Sequence, residues 1–255
     1  MSHHIVEVKN LSFNYPDSRE VLKNISFRIT HGESVAIVGA NGTGKTTLLL
    51  HLNGYLTPGS GTVRIGDFPV TKETLYAVRR TVGMVFQDSD DQLFMPLVKD
   101  DVAFGPLNLG FPLAEVDGIV ESSLSRVGSL GLKDRPPYKL SGGEKKAVAI
   151  AGVLAMSPDI LVMDEPTANL DPRARRRLIS LLSTFEHTKI IATNDLDMAL
   201  DLCSRTIVLH RGEVTADGPT REIFSDVELL ERSQLEKPLV MQKCPVCGKE
   251  DSKGI

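Results

Sequence analysis

Ser34-Val-Ala-Ile-Val38 runs without a break into Gly39-Ala-Asn-Gly-Thr-Gly-Lys-Thr46, and a helical stretch, Lys45–Asn53, follows at once. Few segments constrain a fold so tightly. The apolar run predicts a buried strand, the glycines stop it, and the helix starts on the far side of the loop. The loop also has a chemistry. Glycines let the backbone wrap closely, so its N–H groups can face phosphate oxygens, and the helix adds the positive end of its dipole. In the spacing Gly39-x4-Gly44-Lys45-Thr46, Lys45 supplies a point charge to β- and γ-phosphates and the Thr46 hydroxyl suits Mg²⁺. Asn41, Gly42, Thr43 and Thr47 are read with them as nucleotide-binding positions.

The rest of the chain divides by pattern. Ile5–Val8 and Val21–Ile29 read as strands, with Asn14-Tyr15-Pro16-Asp17 in the turn between them. Thr62–Val70 reads as another hairpin element, and Val82–Phe86 as a short apolar strand ending at Gln87. Residues 88–158 change character: Pro96, Gly105-Pro106, Gly110 and Pro112 break the pattern, and amphipathic stretches near 113–128 and 142–156 predict a helical insertion. From 159 the strands Ile160–Met163, Lys189–Thr193 and Thr206–His210 alternate with helices over Arg175–Phe185 and Leu196–Cys203. Such alternation predicts an α/β fold with a mostly parallel sheet. The domain is expected to span residues 1–225, leaving 226–255 as a charged tail with Val227, Leu230 and Leu235 at rough helical spacing. The basic run Arg173–Arg177, which opens a helix after Asp171-Pro172, reads as a solvated face or a contact surface.

Two adjacent carboxylates, Asp164 and Glu165, end the apolar strand at 160. Running a buried strand into two charges is costly unless they have a cation or a proton to handle. Asp164 is the candidate Mg²⁺ ligand, and Glu165 the residue that orients and polarises an attacking water. Gln87, at the junction with the helical lobe, can bind Mg²⁺ or water without adding charge and so report on a γ-phosphate. Leu140-Ser-Gly-Gly-Glu144 opens the helix before the carboxylates. The hydroxyl of Ser141 and the free N–H groups of Gly142 and Gly143 would make an anion site, while Ser141 and Glu144 also have capping-box spacing. Tyr15 could stack on adenine or cover the hairpin.

With a net charge of −4 there is no global basic field, which argues against a nucleic-acid partner. No apolar run reaches the roughly 18 residues needed to span a bilayer, and the N-terminal stretch has no signal-peptide core, so a cytoplasmic protein is expected. Three cysteines, Cys203, Cys244 and Cys247, are too few for a disulfide framework.

Over residues 5–225 the chain resembles ATPase subunits of the ATP-binding-cassette (ABC) family. Within that family it is similar to the ATPase component of energy-coupling-factor importers, especially the cobalt/nickel type. The stretches that carry this are Val82–Phe94, Asp101–Gly110 and Asp134–Leu140. The resemblance implies a P-loop NTPase core of the RecA type, with an antiparallel β subdomain and an inserted helical subdomain. It implies that two such subunits, identical or related, close head to tail on two ATP molecules. Each phosphate loop would then face the other chain's Ser141–Glu144 segment, and Asn169-Leu170-Asp171 would cross the interface, with Asp171 beside the nucleotide. The lobe after Gln87 would dock an integral membrane partner through the Asp88–Phe94 stretch, placing the subunit peripherally on the cytoplasmic face of the membrane.

Two positions depart from that pattern. Glu144 stands where the family usually has Gln, adding a negative charge near phosphates if it points inward. Asn194, in Thr193-Asn194-Asp195, stands where the family places a His that contacts the γ-phosphate. An amide can donate a hydrogen bond but cannot carry a proton, which predicts slow hydrolysis unless Glu165 carries the chemistry. His187 and His210 read as surface residues. Cys244-Pro-Val-Cys247 is half a zinc knuckle; two tails could complete a four-thiolate Zn²⁺ site, the pair could sense redox state, or it could be two free thiols. The rival to a transporter ATPase is a soluble ABC ATPase of repair, translation or Fe–S assembly, or a regulatory subunit that binds ATP and hydrolyses it weakly. The chain lacks the long coiled-coil insertion and second cassette that the repair and translation types usually carry.

Overall fold

The computed structural model describes residues 6–16 and 20–242. In chain order the elements are β1 (Val6–Asn14), β2 (Glu20–Ile29), β3 (Ser34–Val38), α1 (Lys45–Leu52), β4 (Ser60–Ile65), β5 (Phe68–Pro69), α2 (Leu75–Thr81), β6 (Val82–Val85), α3 (Val98–Asn108), α4 (Leu113–Arg126), α5 (Gly142–Ala155), β7 (Ile160–Asp164), α6 (Pro172–Ser183), β8 (Thr188–Thr193), α7 (Leu196–Leu202), β9 (Arg205–His210), β10 (Glu213–Pro219), α8 (Thr220–Ser225) and α9 (Val227–Arg232). Among the described residues they form a four-stranded sheet, β2-β1-β4-β5, and a six-stranded sheet, β10-β9-β3-β8-β7-β6. The small sheet is antiparallel. The large one is parallel except for its edge strand β10. This is the expected α/β core with an antiparallel β subdomain and an inserted helical lobe.

Period-two burial divides the parallel sheet between two cores. Val35, Ile37, Ile160, Val162, Ile190, Ala192, Ile207 and Leu209 face α1 and the small sheet. Their neighbours Ala36, Val38, Leu161, Met163, Ile191 and Val208 face α5, α6, α7, α8 and α9. A third cluster fills the lobe, where Val98 and Val102 of α3 and Val120 and Leu124 of α4 meet Val148 and Ala151 of α5.

The structure departs from the sequence reading in several places. β1 runs on to Asn14, because register shifts around Asn10 (φ 49°) interrupt the alternation that would have marked it. α3 forms despite Gly105-Pro106, since Pro106 sits in the last turn and removes little of the ladder. The expected tail does not start at 226: α9 is packed, and Leu229 and Leu230 are buried in the second core with Phe224. Cys244 and Cys247 lie outside the described residues.

Candidate functional site

The parallel register brings the carboxyl ends of three strands to one edge. Val38 pairs with Thr193, and Asp164 with Ala192, so β3, β8 and β7 end side by side. The loop from Gly39 to Gly44 leaves β3 there and turns into α1, with Gly42 and Gly44 in the left-handed region at φ 80° and 101°. Thr43 steadies it by donating to Ala40 O at 2.9 Å.

Lys45 is buried, 6% exposed, and its ammonium is fully engaged. It donates to Gly39 O at 2.7 Å, Ala40 O at 3.3 Å and Asn194 Oδ1 at 2.8 Å, and lies 3.7 Å from Glu165 Oε1. Burial lowers its pKa, against the pull of the Glu165 and Asp164 carboxylates. The Thr46 hydroxyl donates to Asp164 Oδ2 at 2.7 Å. Asp164 Oδ1 is buried with no hydrogen-bond partner among the described residues. An orphaned carboxylate oxygen costs free energy unless something else satisfies it. With the Thr46 hydroxyl, and Gln87 lining the same cavity, it forms an oxygen donor set that fits a hard cation such as Mg²⁺.

Glu165 sits one residue beyond β7 at φ 42°, a left-handed conformation that is strained for a non-glycine residue by about 1 kcal/mol or more. Its N–H donates to Ala192 O at 2.8 Å, and its Oε2 accepts from Asn194 N at 3.0 Å and Thr193 Oγ1 at 3.3 Å. The carboxylate is thereby aimed into the cavity. Burial raises the pKa of both Glu165 and Asp164, and their mutual repulsion adds to the rise at Glu165. A carboxylate so shifted is a stronger base than a solvated one.

The cavity has a volume of about 660 Å³ and is lined by Asn41, Gly42, Gly44, Lys45, Thr46, Thr47, Gln87, Glu165 and Asn194, among others. Asn194 also donates from Nδ2 to Asn41 Oδ1 at 2.6 Å, so this amide bridges the lysine and the loop. Tyr15 stands at the side of α1, its hydroxyl 3.3 Å from Thr47 Oγ1 and its ring edge-to-face with Phe13. Gly39 and Thr43 support the loop from behind without lining the cavity.

Ser141, Gly142, Gly143, Glu144 and Asp171 are not brought to this cavity. Ser141 caps α5, and Glu144 folds back on it in a complete capping box: Glu144 Oε2 accepts from Ser141 N and from Ser141 Oγ, each at 2.8 Å. The Glu144 charge is therefore spent on the cap, which holds its pKa low. Asp171 caps α6, accepting from Arg173 N at 2.8 Å and Ala174 N at 3.0 Å. Gly143 lies against Ala174 and Leu170, so the two caps adjoin. Arg173, Arg176 and Arg177 are exposed as expected, but Arg175 is not part of a solvated face. It makes a two-pronged bond to Asp195 at 2.7 and 2.8 Å, and Asp195 in turn caps α7 and accepts from Thr167. Sequence reasoning missed this pair; an Asp directly before an apolar-periodic helix was the available signal. His187 is exposed, whereas His210 is half-buried, its Nδ1 without a hydrogen-bond partner among the described residues. Cys203 is buried, its thiol pushed up to about 12 by that burial.

Among the described residues no group of His, Cys, Asp or Glu could hold a metal by itself, and no helix is long and apolar enough to cross a membrane. The model of the family described as "ABC transporter" matches residues 22–168. A protein of Geobacter sulfurreducens is 67% identical over 98% of this chain and 100% of its own length. The energy-coupling factor transporter ATP-binding protein EcfA of Methanocaldococcus jannaschii is 46% identical over 98% of this chain and 91% of that protein. Among solved structures, cbiO1 from Clostridium perfringens, described as part of the ABC transporter complex cbiONQ, superposes with a TM-score of 0.79 at 40% identity. It covers 90% of this chain and 94% of that one. A dimeric ATP-binding cassette, MJ0796, bound to ADP and Pi, gives 0.76 at 28% identity, over 85% of this chain and 99% of that one.

Proposed function

The chain belongs to the ABC transporter family of ATP-binding domains, and from that premise we propose that it is the ATPase subunit of an energy-coupling-factor importer, with a transition-metal ion, cobalt or nickel, as the solute. The observation that carries the ATPase assignment is the juxtaposition of the buried Lys45 ammonium, the Thr46 hydroxyl and the unpartnered Asp164 oxygen. Lys45 and the N–H groups of the Gly39–Gly44 loop bind the phosphates. Thr46, Asp164 and Gln87 hold Mg²⁺, which when bound neutralises charge on the phosphates. Glu165 orients a water and takes its proton. Tyr15 flanks the base, and Asn194, already on Lys45, sits where a terminal phosphate would be sensed.

Two copies, or this chain and a related one, complete the site. The cap of Ser141-Gly142-Gly143, exposed at Ser141 and Gly142, lies outside its own chain's cavity, and its N–H groups serve a nucleotide held by the partner, with Asp171 at the same interface. A second groove of about 720 Å³ separates the lobe from the core. It is walled by Phe94 and Phe104, packed edge-to-face at 4.9 Å, with Leu109, Met156 and Tyr76, and rimmed by Arg80. Exposed aromatic side chains in a groove mark a contact surface. The membrane subunits dock there, holding the ATPase at the cytoplasmic face. Solute selection belongs to the membrane subunits, and the metal assignment rests on the sequence resemblance of Val82–Phe94, Asp101–Gly110 and Asp134–Leu140.

In Glu165→Gln the amide cannot take the proton, and hydrolysis should fall by about 10²–10³, with ATP binding retained. Tagged wild-type chain purified from membranes should bring hydrophobic subunits with it. Unchanged turnover in the variant would remove the assignment of Glu165; recovery of nucleic acid or a purely soluble complex would remove the transport reading. Asn194 favours one second reading, a regulatory subunit that binds ATP and turns it over slowly beside a more active sister.

A further inference from the structure

Two consecutive lysines of α5, Lys145 and Lys146, are not used in the roles above. Lys146 is 4% exposed, yet its ammonium reaches back across the molecule to two backbone carbonyls, Phe86 O at 3.0 Å and Gln87 O at 2.7 Å. Beside it, Lys145 Nζ lies 2.6 Å from Asp90 Oδ1. The segment 86–90 is thus held to the first turns of α5 at three points. Its own regular structure is slight: β6 ends at Val85 and no helix begins before Val98.

Both ends of this tie matter. α5 begins at the Ser141 cap, the element that meets the nucleotide of the partner copy. Segment 86–90 contains the cavity residue Gln87 and leads directly to Phe94 in the docking groove. A buried ammonium that bonds only carbonyl oxygens is expensive to desolvate, and burial lowers its pKa against the pull of Asp88 and Asp164. A methionine or leucine would fill the same space at no such cost. The charge therefore does something that packing alone would not.

We propose that Lys146 is a positioning residue that, with Lys145, locks the Gln87–Asp90 segment to helix α5. Nucleotide engagement at the Ser141 end is thereby passed to Gln87 and to the docking groove as one rigid movement. The tie lies within one chain, so every copy carries its own link between the shared ATP site and the membrane partner. This rests on the reading of Gln87 and Ser141 as nucleotide-site residues.

The test uses the full chain as Lys146→Met, which keeps an apolar stem and loses the donors, and Lys146→Gln, which keeps an N–H one atom shorter. Lys99→Ala serves as a control, because it breaks only an exposed pair with Asp134 in the same lobe. Three quantities are read: ATP affinity, kcat, and amide hydrogen exchange of residues 86–94 with and without Mg-ATP. The expected result for Lys146→Met is affinity within twofold of wild type, kcat reduced about tenfold, and exchange of 86–94 that no longer slows when ATP binds. Lys146→Gln should recover part of each, and Lys99→Ala should match wild type. Wild-type exchange protection and kcat in Lys146→Met would overturn the proposal. So would faster exchange spread evenly through β3, β7 and β8 in both Lys146 variants, which would mark a general loss of stability. If ATP fails to bind the wild-type chain at all, the nucleotide-site reading fails first, and that outcome is separable from either result.

Discussion

The two glycines at the start of the phosphate loop do different work, and one substitution at each separates them. A Cβ added at Gly39 would stand 2.2 Å from Leu209 O and 2.8 Å from Thr43 Oγ1. The first contact is with backbone of β9, which is paired to β3 on one side and β10 on the other, so it cannot retreat. Overpacking of this kind costs about 3 kcal/mol, the upper end of the usual range. For a chain of this size that lowers Tm by about 6–12 °C. At Gly42 an added Cβ meets nothing within 4 Å, and the penalty is only the left-handed φ of 80°. That strain is about 1–2 kcal/mol, and about 0.4–1 kcal/mol is recovered by stiffening the unfolded chain. The net is about 1 kcal/mol, or about 2–4 °C in Tm. Yet Gly42 lines the cavity, so its methyl group would stand beside the N–H groups that receive phosphate. Thermal melts with and without Mg-ATP separate the two effects. Nucleotide at a hundred times its Kd stabilises by about 2.7 kcal/mol, which raises the wild-type Tm by about 5–11 °C. Gly42→Ala should melt near wild type and lose most of that rise; Gly39→Ala should melt far lower even without nucleotide. If Gly39→Ala melts within 2 °C (about 1 kcal/mol) of wild type, or Gly42→Ala keeps the full nucleotide-induced rise, the division of labour is refuted.

Asn194→His should raise kcat about tenfold, a gain of about 1.4 kcal/mol in transition-state stabilisation, and bring in a pH dependence near the imidazole range that wild type lacks; an unchanged steady-state rate would mean that Glu165 suffices. Arg175→Ala leaves the partly buried Asp195 carboxylate with only Thr167 and the α7 cap, and should cost about 1–2 kcal/mol at neutral pH after allowing for solvent screening. Burial raises the Asp195 pKa, but the bonds from Arg175 and the α7 cap outweigh it and leave the pKa below its ordinary value, so the contribution is complete above the unfolded carboxylate range and is lost as pH falls through the folded pKa. Urea melts at pH 7 and pH 3 should therefore show a smaller gap between wild type and variant at the lower pH. Glu144→Ala removes the two bonds received from Ser141 and should lower stability by about 0.5–1 kcal/mol at pH 7. Because the Glu144 pKa is also depressed, that difference should likewise shrink in acid, which the same melts would detect.

Much of the site could be read along the chain because its parts are local. Gly39–Thr46 is one contiguous loop between two regular elements, and Asp164-Glu165 directly ends an apolar run. Ser141 and Glu144 are a single helix turn apart, so their capping box follows from spacing alone. What escaped was either irregular or distant. β1 lost its alternation at bulges, α3 was hidden by Gly105-Pro106, and α9 looked like a tail because its partners Phe224 and Met241 come from other turns of the chain.

Local spacing along the chain is enough to specify a strand, loop and helix that cradle phosphate, a carboxylate pair at a strand end, and a mostly parallel sheet. What those groups touch is set by how the chain packs. Asn194 holds the ammonium of Lys45 across 149 residues, Lys146 holds the carbonyl of Gln87 across 59, and Arg175 holds Asp195 across 20. The reason lies in the parallel sheet. Parallel strands deliver all their carboxyl ends to one edge, so residues far apart in sequence meet there at hydrogen-bond distance. Which of them meet is set by the register of β3, β8 and β7, and no spacing along the chain records that register.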